Sequence, residues 1–235
     1  MQNIIKVCLS PSLFPIYSDR KSIVVVVDVL RATSSMCIAF EKGVEKLIPV
    51  STVEEALEYR NGDRGYILAA ERNGKTVKSF DFGNSPFQYK KEIVSGQDVV
   101  LTTTNGTKCI EMASDAHQVV VGSFLNLKSV VDYIKNLDKD VVLFAAGWQD
   151  IVNLEDSLFA GAVANSFARR DCDDATQMAR DAYSVAEGNL FETLQNTNHF
   201  QRLASKGVTK DIEYCCETNV IDSVGVLKEG KIMTA

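Results

Sequence analysis

The sequence predicts an α/β protein with a mostly parallel or mixed sheet and helices on its faces. Three observations lead there. Seven short apolar runs rich in β-branched residues are spaced along the first 145 positions. Segments of helical periodicity lie between them. The length, 235 residues, suits one large α/β domain.

The runs that read as strands are Ile4–Leu9, Ile23–Leu30, Lys46–Val50, Tyr66–Ala70, Asp98–Thr102, Gln118–Val121 and Asp140–Ala145. Many are apolar at successive positions, as expected of strands buried on both faces. Helices are predicted at Thr33–Glu41, Val53–Arg60, Thr107–Ala113, Leu127–Asn136 and Leu154–Arg169. Strands alternating with helices imply a parallel sheet with helical layers. The last third changes character. Asp174–Glu187 and Asn189–Lys206 read as consecutive helices, interrupted by Gly188 and closed by Gly207. Val220–Leu227 then returns to the sheet or pairs as a hairpin with Lys231–Met233 through Glu229-Gly230. No linker or low-complexity segment interrupts 1–235, which reads as a single domain. Lobes 1–115 and 116–235 are the alternative.

Composition narrows the function. Hydrophobic residues make up 46% and charged residues 24%, an ordinary globular balance. No apolar run approaches the roughly 18 residues of a membrane span, and the N-terminus lacks a signal-peptide pattern. A cytoplasmic home is therefore expected. The net charge is −6 with no basic cluster, which argues against a nucleic-acid partner. The six cysteines form no C-x-x-C pair, and neither His117 nor His199 lies near one, so a zinc site is not expected. Both histidines read as peripheral. Homodimerisation is an expectation only from how often small enzymes pair.

Five segments can carry chemistry, and each has a structural reading beside the functional one. In Asp28-Val29-Leu30-Arg31-Ala32-Thr33, an acid ends a very apolar strand. Asp28 is either a Mg2+ ligand with Arg31 as an oxyanion clamp, or half of an internal Asp–Arg pair beside a helix cap. Glu71-Arg72 brings a second carboxylate to a strand end, or is a solvated turn. Phe80-Asp81-Phe82-Gly83-Asn84-Ser85-Pro86 is a turn that presents Asn84 and Ser85, or a loop pinned by its aromatics. In Thr102-Thr103-Thr104-Asn105-Gly106-Thr107, hydroxyls and amides suggest an anion cradle. A capped helix start explains one or two of those hydroxyls. Glu155 and Asp156 either complement a helix dipole or supply a metal ligand or general base. No G-x-S-x-G elbow, dinucleotide fingerprint or P-loop is present.

In this order, with Gly122-Ser123-Phe124-Leu125-Asn126, these segments resemble the 2-phosphosulfolactate phosphatase (ComB) family. The resemblance is carried by residues 23–161 and, beyond Arg170, by Asp211-Ile212-Glu213-Tyr214-Cys215-Cys216. It implies a three-layer α/β/α fold, with two related halves as a further possibility. It also implies a Mg2+-dependent acid phosphatase of coenzyme M biosynthesis that hydrolyses (R)-2-phospho-3-sulfolactate. On that basis Asp28, Arg31, Glu71 and Asp156 are the expected catalytic residues. Asp28, Glu71 and Glu155 are the expected metal ligands, with Asp156 as the alternative to Glu155. Arg31 and the loop Thr103, Thr104, Asn105, Gly106 and Thr107 would hold the phosphoryl group. Arg72 or Asn84 would hold the sulfonate or carboxylate end, with Ser85 as a further substrate-binding residue. Water would attack in line. A covalent aspartyl-phosphate on Asp28 is the rival route, although Leu30 breaks the Asp-x-Asp pattern of such nucleophiles. A phosphatase for another small organic phosphate, and a non-catalytic sensor of a phosphorylated metabolite, remain the other functional readings.

Overall fold

The computed structural model describes residues 3–62, 64–167 and 171–235. In chain order the strands are β1 (Ile5–Cys8), β2 (Ile23–Val27), β3 (Lys46–Pro49), β4 (Ile67–Arg72), β5 (Lys75–Thr76), β6 (Asp98–Thr102), β7 (Gln118–Gly122), β8 (Val141–Ala145), β9 (Gly225–Lys228) and β10 (Lys231–Thr234). The helices are α1 (Phe14–Tyr17), α2 (Ala32–Glu41), α3 (Val53–Glu58), α4 (Lys91–Val94), α5 (Gly106–Met112), α6 (Leu127–Leu137), α7 (Leu154–Asn165), α8 (Asp174–Ala186), α9 (Leu190–Leu194), α10 (Asn198–Ala204) and α11 (Thr209–Cys215).

All ten strands join one mixed sheet in the order β1-β8-β2-β7-β9-β10-β3-β6-β4-β5. β1, β8, β2 and β7 form one parallel block, and β3, β6 and β4 form another. The β9–β10 hairpin joins them, antiparallel to β7 on one side and to β3 on the other. The second block therefore runs opposite to the first along the sheet.

The run Ile-Val-Val-Val-Val of β2 explains the layering. Ile23, Val25 and Val27 point into a core shared with α6, α7, α8 and the C-terminal helices. Val24 and Val26 point the other way, into a core with α2, α5, β3 and β6. All five are buried, each contributing roughly 1.5–3 kcal/mol. A smaller core packs α3 on the outer face of the second block. Because residues of both blocks share the α2–α5 core, the sheet curls around those two helices. That curl brings loops from oppositely directed blocks together. The three-layer α/β organisation expected from the sequence is present, with helices on both sheet faces.

The elements differ from expectation mainly in the last third. The single helix expected at Asn189–Lys206 is two helices, α9 and α10. Thr197 breaks it: its hydroxyl donates to the Leu194 carbonyl at 2.8 Å and accepts the Phe200 N–H at 3.2 Å. One side chain closes the first helix and caps the second. α11 falls in a stretch to which no helix was assigned. The helix expected at Leu154–Arg169 ends at Asn165, and residues 168–169 lie outside the described residues. The Val220–Leu227 strand begins only at Gly225, because Val220 and Ile221 both donate to the Leu125 carbonyl instead. The expected hairpin forms through Glu229 and Gly230, both at positive φ. All six cysteines are free thiols. Among the described residues no helix is long and apolar enough to cross a membrane.

Candidate active site

The site lies where loops after β2, β6 and β8 meet the β4–β5 turn and α10. A polar cavity of about 30 Å3 is lined there by Asp28, Arg31, Glu71, Asn84, Thr104 and Asn105, with Trp148, His199 and Arg202 closing it. Close packing of two loops creates it. A Cβ on Gly106 would stand 2.8 Å from the Ala32 Cβ and 3.0 Å from Asp28 Oδ2. Glycine at 106 is what lets the threonine loop approach Asp28.

Asp28 is buried at the end of β2. Its Oδ1 accepts the Ala32 N–H at 3.3 Å, and its backbone N–H donates to Thr33 Oγ1 at 3.1 Å. Burial pushes its carboxyl up to about 6; Glu71 and Glu155 push the same way, against the Ala32 N–H and His199. Glu71 accepts the Gly74 N–H, which shapes the β4–β5 turn, and the Thr104 hydroxyl at 3.4 Å. Glu155 is fully buried; one carboxylate oxygen pairs with His199 Nδ1, and the other has no hydrogen-bond partner. The Asn153 amide also lies 2.8 Å from Nδ1. Because a carboxylate only accepts, Nδ1 donates to Glu155, the Asn153 amide nitrogen beside it is then a close neighbour and not a second donor to Nδ1, and Nε2 has no hydrogen-bond partner among the described residues.

Several sequence-predicted residues sit at the site but are bound internally. Arg31 pairs with the buried Asp211 rather than with Asp28, and donates to the Gly74 carbonyl at 3.2 Å. The internal-pair reading of Arg31 thus named the wrong acid. Asp156 spans two loops: Oδ1 accepts the Val29 N–H at 2.9 Å and Oδ2 the Gly147 N–H at 3.0 Å. Its carboxyl is held well above the usual range by burial first, then by Glu155 and Asp28. Of the two adjacent acids, Glu155 is the one with an uncommitted oxygen. Arg72 lies outside the cavity lining and donates to the carbonyls of Glu71 and Thr102 and to Thr102 Oγ1. Thr103 and Thr107 cap the start of α5 reciprocally. Thr107 N–H donates to Thr103 Oγ1, and Thr107 Oγ1 donates to the Thr103 carbonyl, each at 3.1 Å. Thr104 and Asn105 face the cavity. Ser85 opens the short turn 86–88 and is not in the lining, whereas Asn84 is; the buried Asn84 Oδ1 has no partner.

Sequence reasoning missed four residues here. His199 was placed at the periphery, yet its ring is 9% exposed and paired with Glu155. Arg202, one turn further along α10, stacks on Trp148 with its guanidinium carbon 4.4 Å from a ring centroid. Asp211 is the partner of Arg31. The spacing of His199 and Arg202, three apart on one helix, was the only local signal available.

The model of the family described as "2-phosphosulpholactate phosphatase" matches residues 8–230. The chain belongs to the 2-phosphosulpholactate phosphatase family. It is therefore an enzyme of the phosphoric monoester hydrolase class. Relatives described as "Probable 2-phosphosulfolactate phosphatase" support the assignment. One from Thermotoga petrophila is 41% identical, covering 88% of this chain and 89% of its own length. One from Caldanaerobacter subterraneus subsp. tengcongensis is 38% identical, covering 90% of each. One from Clostridium perfringens strain 13 is 34% identical over 98% of this chain and 96% of its own length. The match to the phosphatase family extends through α10 and α11, so His199, Arg202 and Asp211 lie within it.

The donors around Asp28 suit a hard cation. Asp28, Glu71 and Glu155 supply carboxylate oxygens, and the second Glu155 oxygen is buried without a hydrogen-bond partner. Among the described residues no three His, Cys, Asp or Glu side chains form a ready-made metal cluster. An ion held here would complete its shell with water and phosphate oxygens, which is the usual Mg2+ pattern.

Proposed function

We propose that this phosphatase hydrolyses (R)-2-phospho-3-sulfolactate to sulfolactate and inorganic phosphate, with Mg2+ as its metal. The observation that carries the reading is the polar cavity in which Asp28 is buried without a cation paired to it, since Arg31 is bound to Asp211. Two acids, Asp28 and Glu71, facing a cavity this polar suit a metal and an anionic ester more than a neutral ligand.

Asp28, Glu71 and the free oxygen of Glu155 would hold the ion. When bound, Mg2+ polarises the phosphoryl oxygens and offsets their charge. The chain's own side chains do the rest. Thr104, Asn105 and Asn84 offer hydroxyl and amide donors to the phosphoryl oxygens. An Asp28 oxygen not engaged by the ion would take a proton from the attacking water. His199, with Nδ1 fixed by Glu155, would act in its doubly protonated form, giving the Nε2 proton to the departing ester oxygen and regaining one from solvent. The water then ends on phosphorus and the sulfolactate leaves as an alcohol.

The test is phosphate release from a panel of small esters that includes phosphosulfolactate and phospholactate, with Mg2+ or with EDTA. Metal-dependent release, strongest for phosphosulfolactate, is expected. Asp28→Asn should abolish it, and His199→Gln should lower kcat roughly 100-fold or more. Release that prefers another ester would discard the substrate and keep the chemistry. No release from any ester would overturn the reading.

A further inference from the structure

Three arginines stand at or beside the cavity, and their donors are committed very differently. Arg31 is held by Asp211 and the Gly74 carbonyl. Arg72 is held by Glu71 and Thr102. The Arg202 guanidinium makes no hydrogen bond or close ion pair with any described residue; it lies over the face of Trp148 and feels the acids Glu71, Glu155 and Asp28 only at longer range. Stacking fixes the plane of the fork and leaves its edge N–H groups free, and guanidinium is weakly hydrated enough to give up water readily. Arg202 therefore presents a fork suited to an oxyanion.

Its position fits a second anion of the substrate rather than the phosphoryl group. The cavity beside Asp28, at about 30 Å3, has room for only a few waters. A second cavity of about 310 Å3 lies next to it, lined by Asn153, Leu154, Thr197 and Asn198 among others. Trp148, His199 and Arg202 line both. A substrate with its phosphoryl group at Asp28 can extend towards the larger cavity along Trp148, His199 and Arg202. Trp148 is itself held firmly. It pairs with Ile151 through N–H···O bonds of 2.9 and 3.0 Å. The turn is pinned by Lys108 on Asp150 at 3.3 Å and by the Ser10 hydroxyl on the Asp150 carbonyl at 2.6 Å. Gly147, at φ +57, is required there, because a Cβ would meet the Ile151 carbonyl oxygen at 2.3 Å.

We propose that Arg202, positioned by Trp148, grips the sulfonate of the substrate and sets the preference for sulfonated over plain phospho-acids. This rests on the phosphatase reading above. A sulfonate stays ionised at any working pH and presents three oxygens, so a fixed guanidinium fork complements it. Arg202 is then a specificity-determining residue, and Trp148 is a positioning residue.

The test compares kcat/KM for phosphosulfolactate and phospholactate, which differ only in the sulfonate, in Arg202→Gln, Arg202→Lys, Trp148→Ala and Trp148→Phe. Arg202→Gln should lose roughly 10- to 100-fold on phosphosulfolactate and much less on phospholactate. Arg202→Lys, which keeps charge without the fork, should fall between. Trp148→Ala should lose part of the same preference, and Trp148→Phe should restore most of it. Equal losses on both esters would overturn the proposal. A binding measurement separates this from the reaction: calorimetric titration of wild type and Arg202→Gln with sulfolactate and with lactate, in Mg2+. Tighter wild-type binding of sulfolactate, erased in Arg202→Gln, supports the grip even if no ester is turned over. Wild-type binding that does not distinguish the two acids overturns it.

Discussion

The acids of this site and its cations come from different parts of the chain. Residues 28–156 supply Asp28 and Glu71, at strand ends, and Glu155 and Asp156, in the first turn of α7. Residues 198–216, on α10 and α11, supply His199 and Arg202, and also Asp211, the acid that neutralises Arg31. The first region concentrates negative charge, and the second decides which positive groups face it. Arg31 is the instructive case. It sits three residues from Asp28, yet its charge goes to an acid 180 residues away. Sequence proximity set the expectation, and tertiary packing reassigned the pair.

The comparison breaks most visibly if the link between the two regions is cut. Arg31 and Asp211 are both buried, so removing one partner leaves an uncompensated charge. Asp211→Ala should cost about 3–5 kcal/mol by denaturant unfolding. The double variant Arg31→Met with Asp211→Leu should cost far less, since neither charge remains. A single variant that loses under 1 kcal/mol would show that the pair is not a structural link.

The acid-rich region can be probed by pH. The Asp28 carboxyl is raised from an ordinary value near 3.8 to about 6 by burial. Between those values the folded protein keeps a proton that the unfolded chain has released. Stability from this group therefore falls as pH rises from about 4 to 6, by roughly 3 kcal/mol at most. Asp28→Asn removes the penalty and can still accept the Ala32 N–H. Without metal it should unfold at a higher temperature than wild type at pH 7.5 and at nearly the same temperature at pH 4. Mg2+ should raise the wild-type midpoint at pH 7.5 and leave the variant unmoved. A difference between the two proteins that does not change with pH would remove Asp28 as the source.

How much could be read in advance follows the same division. The β-branched runs fixed the strands because both faces of β2, β7 and β8 are buried, which leaves little freedom in the pattern. Asp28, Glu71 and Thr104 could be expected at strand ends because each follows or ends an apolar strand, whereas Asn84 sits in a turn whose side chains the pattern does not place. The curl of the sheet was not legible. It depends on the β9–β10 hairpin reversing the direction of β3, β6 and β4, a long-range pairing with no local signature. His199 was misread for a related reason. An isolated histidine in a helical stretch carries no sign of its partner, and Glu155 is 44 residues away. Glu155 and Asp156 could not be told apart, because adjacent acids at a helix start look equivalent until the Val29 and Gly147 N–H groups are placed.

The smallest expected effect tests the one motif in which capping and binding overlap. Four threonines around Asn105-Gly106 suggested an anion cradle, and the fold divides them. Thr103 and Thr107 exchange hydrogen bonds across the first turn of α5, both buried, whereas Thr104 is exposed to the cavity beside Glu71. Thr107→Val keeps the shape but leaves the Thr103 carbonyl and N–H without their hydroxyl partner. It should cost about 1 kcal/mol in stability and change kcat/KM little. Thr104→Val should do the reverse, with stability within about 0.5 kcal/mol and a clear loss of kcat/KM, because an exposed hydroxyl contributes to the fold only weakly. Measuring both quantities on both variants separates the roles. If Thr107→Val damages turnover more than stability, the capping pair also touches the substrate, and the threonine loop acts as one cradle rather than two halves.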